Sequence, residues 1–455
     1  MRRVTQQEGE SWRALAQRHG FGSAEGRFVL GRFIVEDRDE NGLPPAEGDY
    51  SPETVTTVPP TRMTVTQRVV RAPLPEPSGE KSEPLSSAPH LSRGSCRMRG
   101  RDDTYSDRAA RPDPRPTRRH ASVAADVMRA AITATGHYLP PDVYPNAFFE
   151  KQLDTTDAWI RSRTGIAERH FASAGGTSDL IVPAAGRCLD ARGVSATAVD
   201  CIIVATMTPD RLCPSTAAIV QRKLGATLAW GFDLAGACSG FVYGLIVATK
   251  LVESGAARRL LLCGADRMSS VIDPEDRATA VLFGDGAGAV LIEAVEDESV
   301  GILDHVFQMD GEGEAALYIP AGGSVEPATA ESVVKRRHYL VQDGPAVFKA
   351  AVVGMADVTA EVLKRSEVAV GDLAWLVPHQ ANGRIIEAVA KRLGLGLDRV
   401  VINLDRYGNT VGATIPIALS EWHEKGQFTY GDRLVLSAFG AGFTSGSVYL
   451  RWAIA

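Results

Sequence analysis

The chain has 455 residues, 44% hydrophobic and 23% charged, with a net charge of −6, which suffices for one large core or two ordinary ones. No run approaches the roughly 18 to 20 unbroken apolar residues of a membrane span, and the near-neutral balance offers no basic field, so neither membrane nor nucleic acid is expected as a partner. Six cysteines (96, 188, 201, 213, 238 and 263) without an apolar leading segment favour a reducing, cytoplasmic setting over a secreted disulfide scaffold.

Residues 1–127 obey different rules from the remainder. They hold 13 of the 25 prolines and 20 basic side chains (19 Arg and Lys81) against 18 acidic ones, with runs such as Arg111-Pro-Asp-Pro-Arg-Pro-Thr-Arg-Arg119 and no sustained helical or strand period. Such a segment buries too little apolar surface to offset its ordering entropy. The many acidic residues argue against a transit peptide. The segment is expected to be a disordered extension or upstream sequence read through as protein. Met128 directly precedes the strand-like run Ala130-Ala-Ile-Thr-Ala-Thr135 and is expected to be the true start.

Beyond residue 128 the chain repeats itself at an offset of about 171 to 174 residues. Asp200-Cys-Ile-Ile-Val-Ala-Thr206 resembles Asp372-Leu-Ala-Trp-Leu-Val-Pro378, both short buried strands. Phe232-Asp-Leu-Ala-Gly-Ala-Cys238 matches Ile402-Asn-Leu-Asp-Arg-Tyr-Gly-Asn409, each followed by a helix. Arg259-Leu-Leu-Leu-Cys-Gly264 resembles Arg433-Leu-Val-Leu-Ser-Ala438. Apolar strands alternating with helices predict an α/β fold with sheets covered on both faces. Two similar halves, 128–299 and 300–455, predict pseudo-twofold packing with a site between them.

Polar residues at strand ends converge in such an arrangement, namely Cys238 from the first half, and His379 and Asn409 from the second. Cys238 lies in Gly236-Ala-Cys-Ser-Gly240 between a buried strand and a helix. Small neighbours permit a sharp turn there, and a helix N-terminus favours the thiolate. An arbitrary cysteine is more often a small buried hydrophobe, the reading given to Cys188, Cys201 and Cys263. A lone His at a strand end or an Asn at a turn is by default structural. The repeat alters that balance, because it aligns Asn409 with Cys238. A papain-like protease is excluded by Phe232 and Phe241-Val-Tyr243 around the cysteine, where that family has Gln and Trp. Decarboxylating carbon–carbon bond formation fits better, since it needs an acyl thiolate and two neutral donors for an enolate oxygen.

Six motifs in order carry a resemblance over some 328 residues: Thr155-Thr-Asp-Ala-Trp-Ile-Arg-Ser-Arg-Thr-Gly-Ile166, the Gly236–Gly240 segment, Phe283-Gly-Asp-Gly-Ala-Gly288, Val377-Pro-His-Gln-Ala-Asn382, Gly408-Asn-Thr410 and Phe439-Gly-Ala-Gly-Phe-Thr444. Residues 128–455 resemble β-ketoacyl-acyl carrier protein synthase III, the condensing enzyme of the thiolase superfamily that starts type II fatty-acid synthesis. The resemblance implies a thiolase-like duplicated fold of five layers, αβαβα. It implies that Cys238 takes the acyl group from a short acyl-coenzyme A, with the oxyanion held by the backbone N–H groups of Cys238 and Ala441. His379 and Asn409 then hold the enolate from malonyl-acyl carrier protein. No metal and no redox cofactor is implied.

By the same resemblance, Thr155, Trp159, Arg163, Arg277, Phe348 and Arg384 line the coenzyme A tunnel, with Trp159 and Arg163 pairing as adenine stack and charge. Arg384 and Lys391 fall on one helix face at i and i+7, with Arg392 adjacent, and are expected to steer an acidic carrier protein, although Glu387 interrupts that face. The family often has glycine at Ala441, and a bulky residue at Cys213 that reaches the acyl pocket of a partner subunit in a homodimer. A roomier pocket, admitting longer or branched primers, is therefore expected. Alternatives are a priming ketosynthase or acyltransferase of a polyketide pathway, and, from another class, a non-catalytic scaffold retaining the fold. A thiolase is disfavoured because no cysteine follows Cys263.

Overall fold

The computed structural model describes residues 128–455 and the backbone of three short strands, Ser23–Ala24, Arg27–Leu30 and Phe33–Glu36, which pair antiparallel in that order. The chain divides into two units, Met1–Ser122 and Val123–Ala455, and these strands belong to the first. Their pairing was not foreseen from composition. The remainder of the expectation for residues 1–127 lies outside the described residues.

In the second unit, β1 (Arg129–Tyr138), β2 (Cys201–Ala205), β3 (Trp230–Leu234), β4 (Arg259–Arg267) and β5 (Asp285–Val295) form one sheet in the order β1-β5-β4-β2-β3. Strands β4, β2 and β3 run parallel, and β5 is antiparallel to both its neighbours. A second sheet, ordered β6-β9-β8-β7, consists of β6 (Gly301–Met309), β7 (Trp375–Pro378), β8 (Arg433–Gly440) and β9 (Thr444–Arg451). Here β7 and β8 are parallel and β9 is antiparallel to its neighbours. A bridge from Leu376 to Val400 stands where the first sheet has β3. The second sheet thus repeats the first, and the expected boundary at 299/300 falls in the link between β5 and β6.

Side-chain alternation sets the layers. Along β4, Leu260 and Leu262 face one core while Leu261 and Cys263 face another, as the two-residue period of a strand requires. The longer helices are α1 (Asp157–Thr164), α2 (Thr177–Arg192), α3 (Thr216–Leu224), α4 (Gly240–Glu253), α5 (Gly344–Arg365), α6 (Gly383–Leu393) and α7 (Thr414–Glu424). Helices α2 and α3 pack on the outer face of the first sheet, and α5 on that of the second with α6 against it. Between the sheets lie α4 and α7, whose Phe241, Leu245, Ile415 and Leu419 meet Ile203, Leu262 and Val290 on one side and Leu434, Leu436 and Val448 on the other. That sequence of layers is αβαβα.

The repeat has a register of 174 residues. Strand starts Cys201 and Trp375, strand starts Arg259 and Arg433, and the turns opening at Ala237 and Val411 are each separated by that number. The counterpart of Cys238 is therefore Gly412, not Asn409 as the sequence comparison suggested. Residues 402–409 cannot be matched one to one with 232–238, because a single bridge at Val400 and a short helix, Leu404–Tyr407, replace the strand and turn of the first half.

Helix α7 lies so close to β5 that a Cβ on Gly288 would stand 2.7 Å from Ile417 N. Gly288→Ala should therefore destabilise the protein by about 1–3 kcal/mol through overpacking. Urea unfolding of the two proteins is the measurement, and an unchanged midpoint would contradict the packing argument.

Candidate active site

Cys238 owes its position to the turn between β3 and α4. Gly236 sits where a Cβ would come within 2.8 Å of Gly240 Cα, so the chain turns sharply there only without a side chain. Ala237 takes a left-handed φ of 44° and opens the one-turn helix Ala237–Ser239 that leads into α4. Such a backbone costs on the order of 1–3 kcal/mol and marks a place the surrounding structure enforces. Val411 repeats it in the other half with φ 53°.

His379 directly follows β7, and its N–H donates to Ser437 O at 2.7 Å across the parallel pair. The next residues are fastened too. Gln380 Nε2 donates to Pro378 O and Val401 O, and Asn382 accepts from Arg384 N as the cap of α6 while its Nδ2 donates to Arg163 O at 3.1 Å. Within His379-Gln-Ala-Asn382, the two amides therefore hold the scaffold, which leaves His379 for the cavity. Its ring is 2% exposed, and its Nδ1 lies 2.7 Å from Thr414 Oγ1.

Asn409 is held by its backbone, which bridges to Phe283: Asn409 N donates to Leu282 O and Gly284 N donates to Asn409 O. Its Oδ1 accepts from Val411 N at 2.9 Å. A backbone N–H is only a donor, so the amide oxygen must face it and Nδ2 faces the other way.

Cys238, His379 and Asn409 line one cavity of about 1050 Å³, together with Ala441, Trp159, Arg163, Phe348 and Arg384. Its remaining wall is largely apolar, including Met207, Tyr243, Leu282, Phe283, Met355 and Phe439. These apolar residues were not read from the sequence as cavity wall, since nothing in a single chain distinguishes a cavity wall from an ordinary core position. Ala441 has no left-handed φ, unlike Gly442 beside it, so a methyl group is accommodated at this position without backbone strain.

The electrostatics differ from expectation at the cysteine. Burial, and then the Asp266 carboxylate, push the Cys238 thiol well above its ordinary value. The resting group is a thiol; the partial charge of a helix N-terminus, about half an elementary charge, does not offset the burial of the side chain. Burial holds His379 far below its usual range, at about 3, so the ring is neutral. Asp266 was not foreseen. It is the next-to-last residue of β4, is wholly buried, and is pushed up to about 6 by burial. An acidic side chain after the apolar run Leu260–Ala265 was the available signal.

The other expected positions are distributed as follows. The Arg277 guanidinium, rather than that of Arg163, lies over the Trp159 ring at 5.0 Å, and Arg384 lies over Phe348 at 5.5 Å. Arg277 also donates to Asp154 O at 2.7 Å. Thr155 and Arg277 do not line the cavity, although the Thr155 hydroxyl is buried without a hydrogen-bond partner. Arg384, Lys391 and Arg392 are exposed on α6 as expected, but Arg392 pairs with Asp357 of α5 at 2.9 Å. Cys213 is exposed and does not reach the cavity of its own chain. Among the described residues no group of His, Cys, Asp and Glu side chains is arranged to hold a metal ion, and no helix is long and apolar enough to cross a membrane.

Comparison with known proteins agrees with this geometry. Residues 232–311 match the family model described as 3-oxoacyl-[acyl-carrier-protein] synthase III, and residues 363–452 match the model of its C-terminal part. The chain is 50% identical over 329 residues to the β-ketoacyl-[acyl-carrier-protein] synthase III of Koribacter versatilis, covering 72% of this chain and 99% of that one. It is 50% identical over 328 residues to the protein of the same name from Chlorobaculum tepidum, covering 71% and 100%. The crystal structure of the 3-oxoacyl-(acyl carrier protein) synthase III of Pseudomonas aeruginosa superposes with a TM-score of 0.66 at 43% identity, covering 71% and 98%. A priming β-ketosynthase from the R1128 polyketide pathway superposes at 0.67 with 33% identity, covering 73% and 99%. With its duplicated αβαβα fold and its cysteine, histidine and asparagine gathered in one cavity, the chain belongs to the 3-oxoacyl-[acyl-carrier-protein] synthase III family.

Proposed function

We propose that the protein condenses a short acyl-coenzyme A primer with malonyl-acyl carrier protein, releasing carbon dioxide and forming the 3-oxoacyl product that initiates fatty-acid synthesis. The observation that carries this reading is the meeting of one buried thiol with two neutral hydrogen-bond donors, His379 and Asn409, in a single cavity. Cys238 attacks the primer thioester. The Cys238–acyl bond forms, the coenzyme A thiolate leaves, and the proton of Cys238 goes to it. The N–H groups of Cys238 and Ala441 take the oxyanion of the tetrahedral intermediate. Malonyl-acyl carrier protein then loses carbon dioxide, and His379 and Asn409 hold the enolate oxygen. The enolate carbon attacks the acyl group, and the Cys238 sulfur departs and is reprotonated.

A neutral donor pair suits an enolate because decarboxylation needs charge to accumulate on the thioester oxygen, and a preorganised N–H meets it without solvent reorganisation. Trp159, Arg163, Phe348 and Arg384 in the cavity wall, with Arg277 lying over Trp159 outside it, supply cations and rings suited to the adenine and phosphates of coenzyme A. Arg384, Lys391 and Arg392 offer a basic edge to an acidic carrier protein, weakened where Arg392 pairs with Asp357. The chemistry uses no metal or redox cofactor. Strand β3 ends the first sheet with Trp230 47% exposed and Phe232 half-buried, which supports a second copy adding its own strand there as a homodimer. Cys213, on the exposed loop beside it, would face that copy's acyl pocket. Five described cysteines are free thiols, in keeping with a cytoplasmic setting.

Incubation with acetyl-coenzyme A and a panel of longer and branched esters, followed by intact mass and peptide mapping, should give one acyl adduct on Cys238 that is absent in Cys238→Ala. An adduct elsewhere, or none with any ester, would overturn the reading, and strict acetyl preference would refute the roomier pocket at Cys213. His379→Ala and Asn409→Ala should each slow malonyl decarboxylation by about 10² to 10³ while the Cys238 adduct still forms. Since His379 gains a proton only near pH 3, nitrogen-15 signals of its ring should show no protonation as pH falls from 8 to 5, the range in which Asp266, at about 6, takes up its proton. A ring titration centred at the ordinary histidine value would show that the ring is charged in the working enzyme.

A further inference from the structure

The enolate step needs a proton on the particular ring nitrogen of His379 that faces the cavity, and a neutral imidazole has only one N–H to place. Nδ1 is turned away from the cavity onto Thr414 Oγ1 at 2.7 Å. Among the described residues no other hydrogen-bond partner of the ring is found, so Nε2 opens on the cavity that His379 lines. Two arrangements fit this pair. In one, Nδ1–H donates to Thr414 Oγ1 and Nε2 presents a lone pair, which would repel an enolate oxygen. In the other, the Thr414 hydroxyl donates to Nδ1 and Nε2 carries the proton.

The Thr414 hydroxyl has a second acceptor within reach, Val411 O at 3.1 Å. That carbonyl already receives the backbone N–H of Thr414, which closes the one-turn helix Val411–Ala413 at the start of α7. It therefore keeps a donor when the hydroxyl proton turns to Nδ1. The other arrangement, with Nδ1–H donating to Oγ1 and the hydroxyl to Val411 O, also leaves no group unpaired, so it is the enolate step, which needs the proton on Nε2, that selects between them. The nitrogen contact is also the shorter of the two, at 2.7 Å against 3.1 Å.

We infer that Thr414 is a positioning residue whose hydroxyl donates to Nδ1 of His379 and so fixes the imidazole tautomer with its N–H facing the cavity. This rests on the enolate-holding role proposed for His379. It also links the two donors, because the same turn that supplies Val411 N to orient Asn409 carries Thr414 one helical step further on. One short segment, 409–414, thereby sets the direction of both N–H groups. Thr414 is not among the residues that line the cavity.

The test has two parts. Nitrogen-15 spectra of the full-length protein labelled at histidine, with the His379 signals assigned by their loss in His379→Gln, should show Nε2 as the protonated nitrogen and Nδ1 as the unprotonated one. The reverse pattern in the resting protein would overturn the inference whether or not Thr414 variants fold. Thr414→Val keeps the shape and removes the hydroxyl; decarboxylation should fall between about 10- and 100-fold, with Cys238 acylation by acetyl-coenzyme A changed less than twofold. Thr414→Ser should restore most of the rate and the wild-type nitrogen pattern. Equal decarboxylation by Thr414→Val and wild type, or failure of Thr414→Ser to restore a rate lost in Thr414→Val, would each refute it. Failure of the function reading is separately visible, since it would leave Cys238 of the wild type without an acyl adduct.

Discussion

A buried carboxylate ties the two halves of this molecule together beside the cavity. Asp266 Oδ1 accepts from Thr206 Oγ1, Met207 N, Thr208 N and Thr208 Oγ1, all in the first half, at 2.8 to 3.1 Å. Its Oδ2 accepts from Gly412 N of the second half at 2.9 Å. Every partner donates, so the group serves as an anion and stays ionised at neutral pH despite a value raised to about 6 by burial. Hydrogen bonds to a charged group are each worth about 1.5–3 kcal/mol, and breaking a buried set leaves an uncompensated charge. The turn that Asp266 grips is the one whose Val411 N–H orients Asn409 and whose end carries Thr414. The geometry around Asn409 and Thr414 accordingly depends on a residue from the opposite half.

The middle layer makes this grip possible. Because α4 and α7 lie side by side between two sheets, each helix start is surrounded by strand ends from both halves. Reactive groups gather there for a topological reason: parallel strands β2, β3, β4 and β7, β8 all end toward it, and the chain must leave each through a loop. Apolar side chains on both faces of each sheet fix the layers, so the loops are left as the part of the molecule where polar residues can be placed without cost to the core.

Much of this was legible beforehand. The Gly236-Ala-Cys-Ser-Gly240 turn announced a sharp strand-to-helix passage because small residues gather there, where core packing would select larger ones. The apolar strands Cys201–Ala205 and Trp375–Pro378 announced the repeat. Its finer register was not legible, since Ile402–Asn409 resembles Phe232–Cys238 in hydrophobic pattern but folds as a bridge and a short helix, displacing Asn409 three residues from the place assigned to it. The thiol state of Cys238 was misjudged from its helix start because local sequence carries no measure of burial. Asp266 and Thr414 escaped for a related reason: each acts through a contact more than 30 residues away in the chain, to Gly412 and to His379 respectively.

The same 174-residue register pairs Asp266, near the end of β4, with Gly440, at the end of β8. Each lies against the helix-opening turn of the other half: Asp266 against Gly412, and Gly440 against Cys238, whose N a Cβ on Gly440 would approach to 3.0 Å. On one side of the pseudo-twofold axis the turn's N–H is permanently answered by a carboxylate oxygen. On the other the answering side chain has been reduced to a hydrogen atom. The duplicated architecture thus displays two versions of one cradle, one sealed by the protein's own negative oxygen and used to hold the halves together, the other left open beside the thiol, free to receive the transient anion of the proposed reaction.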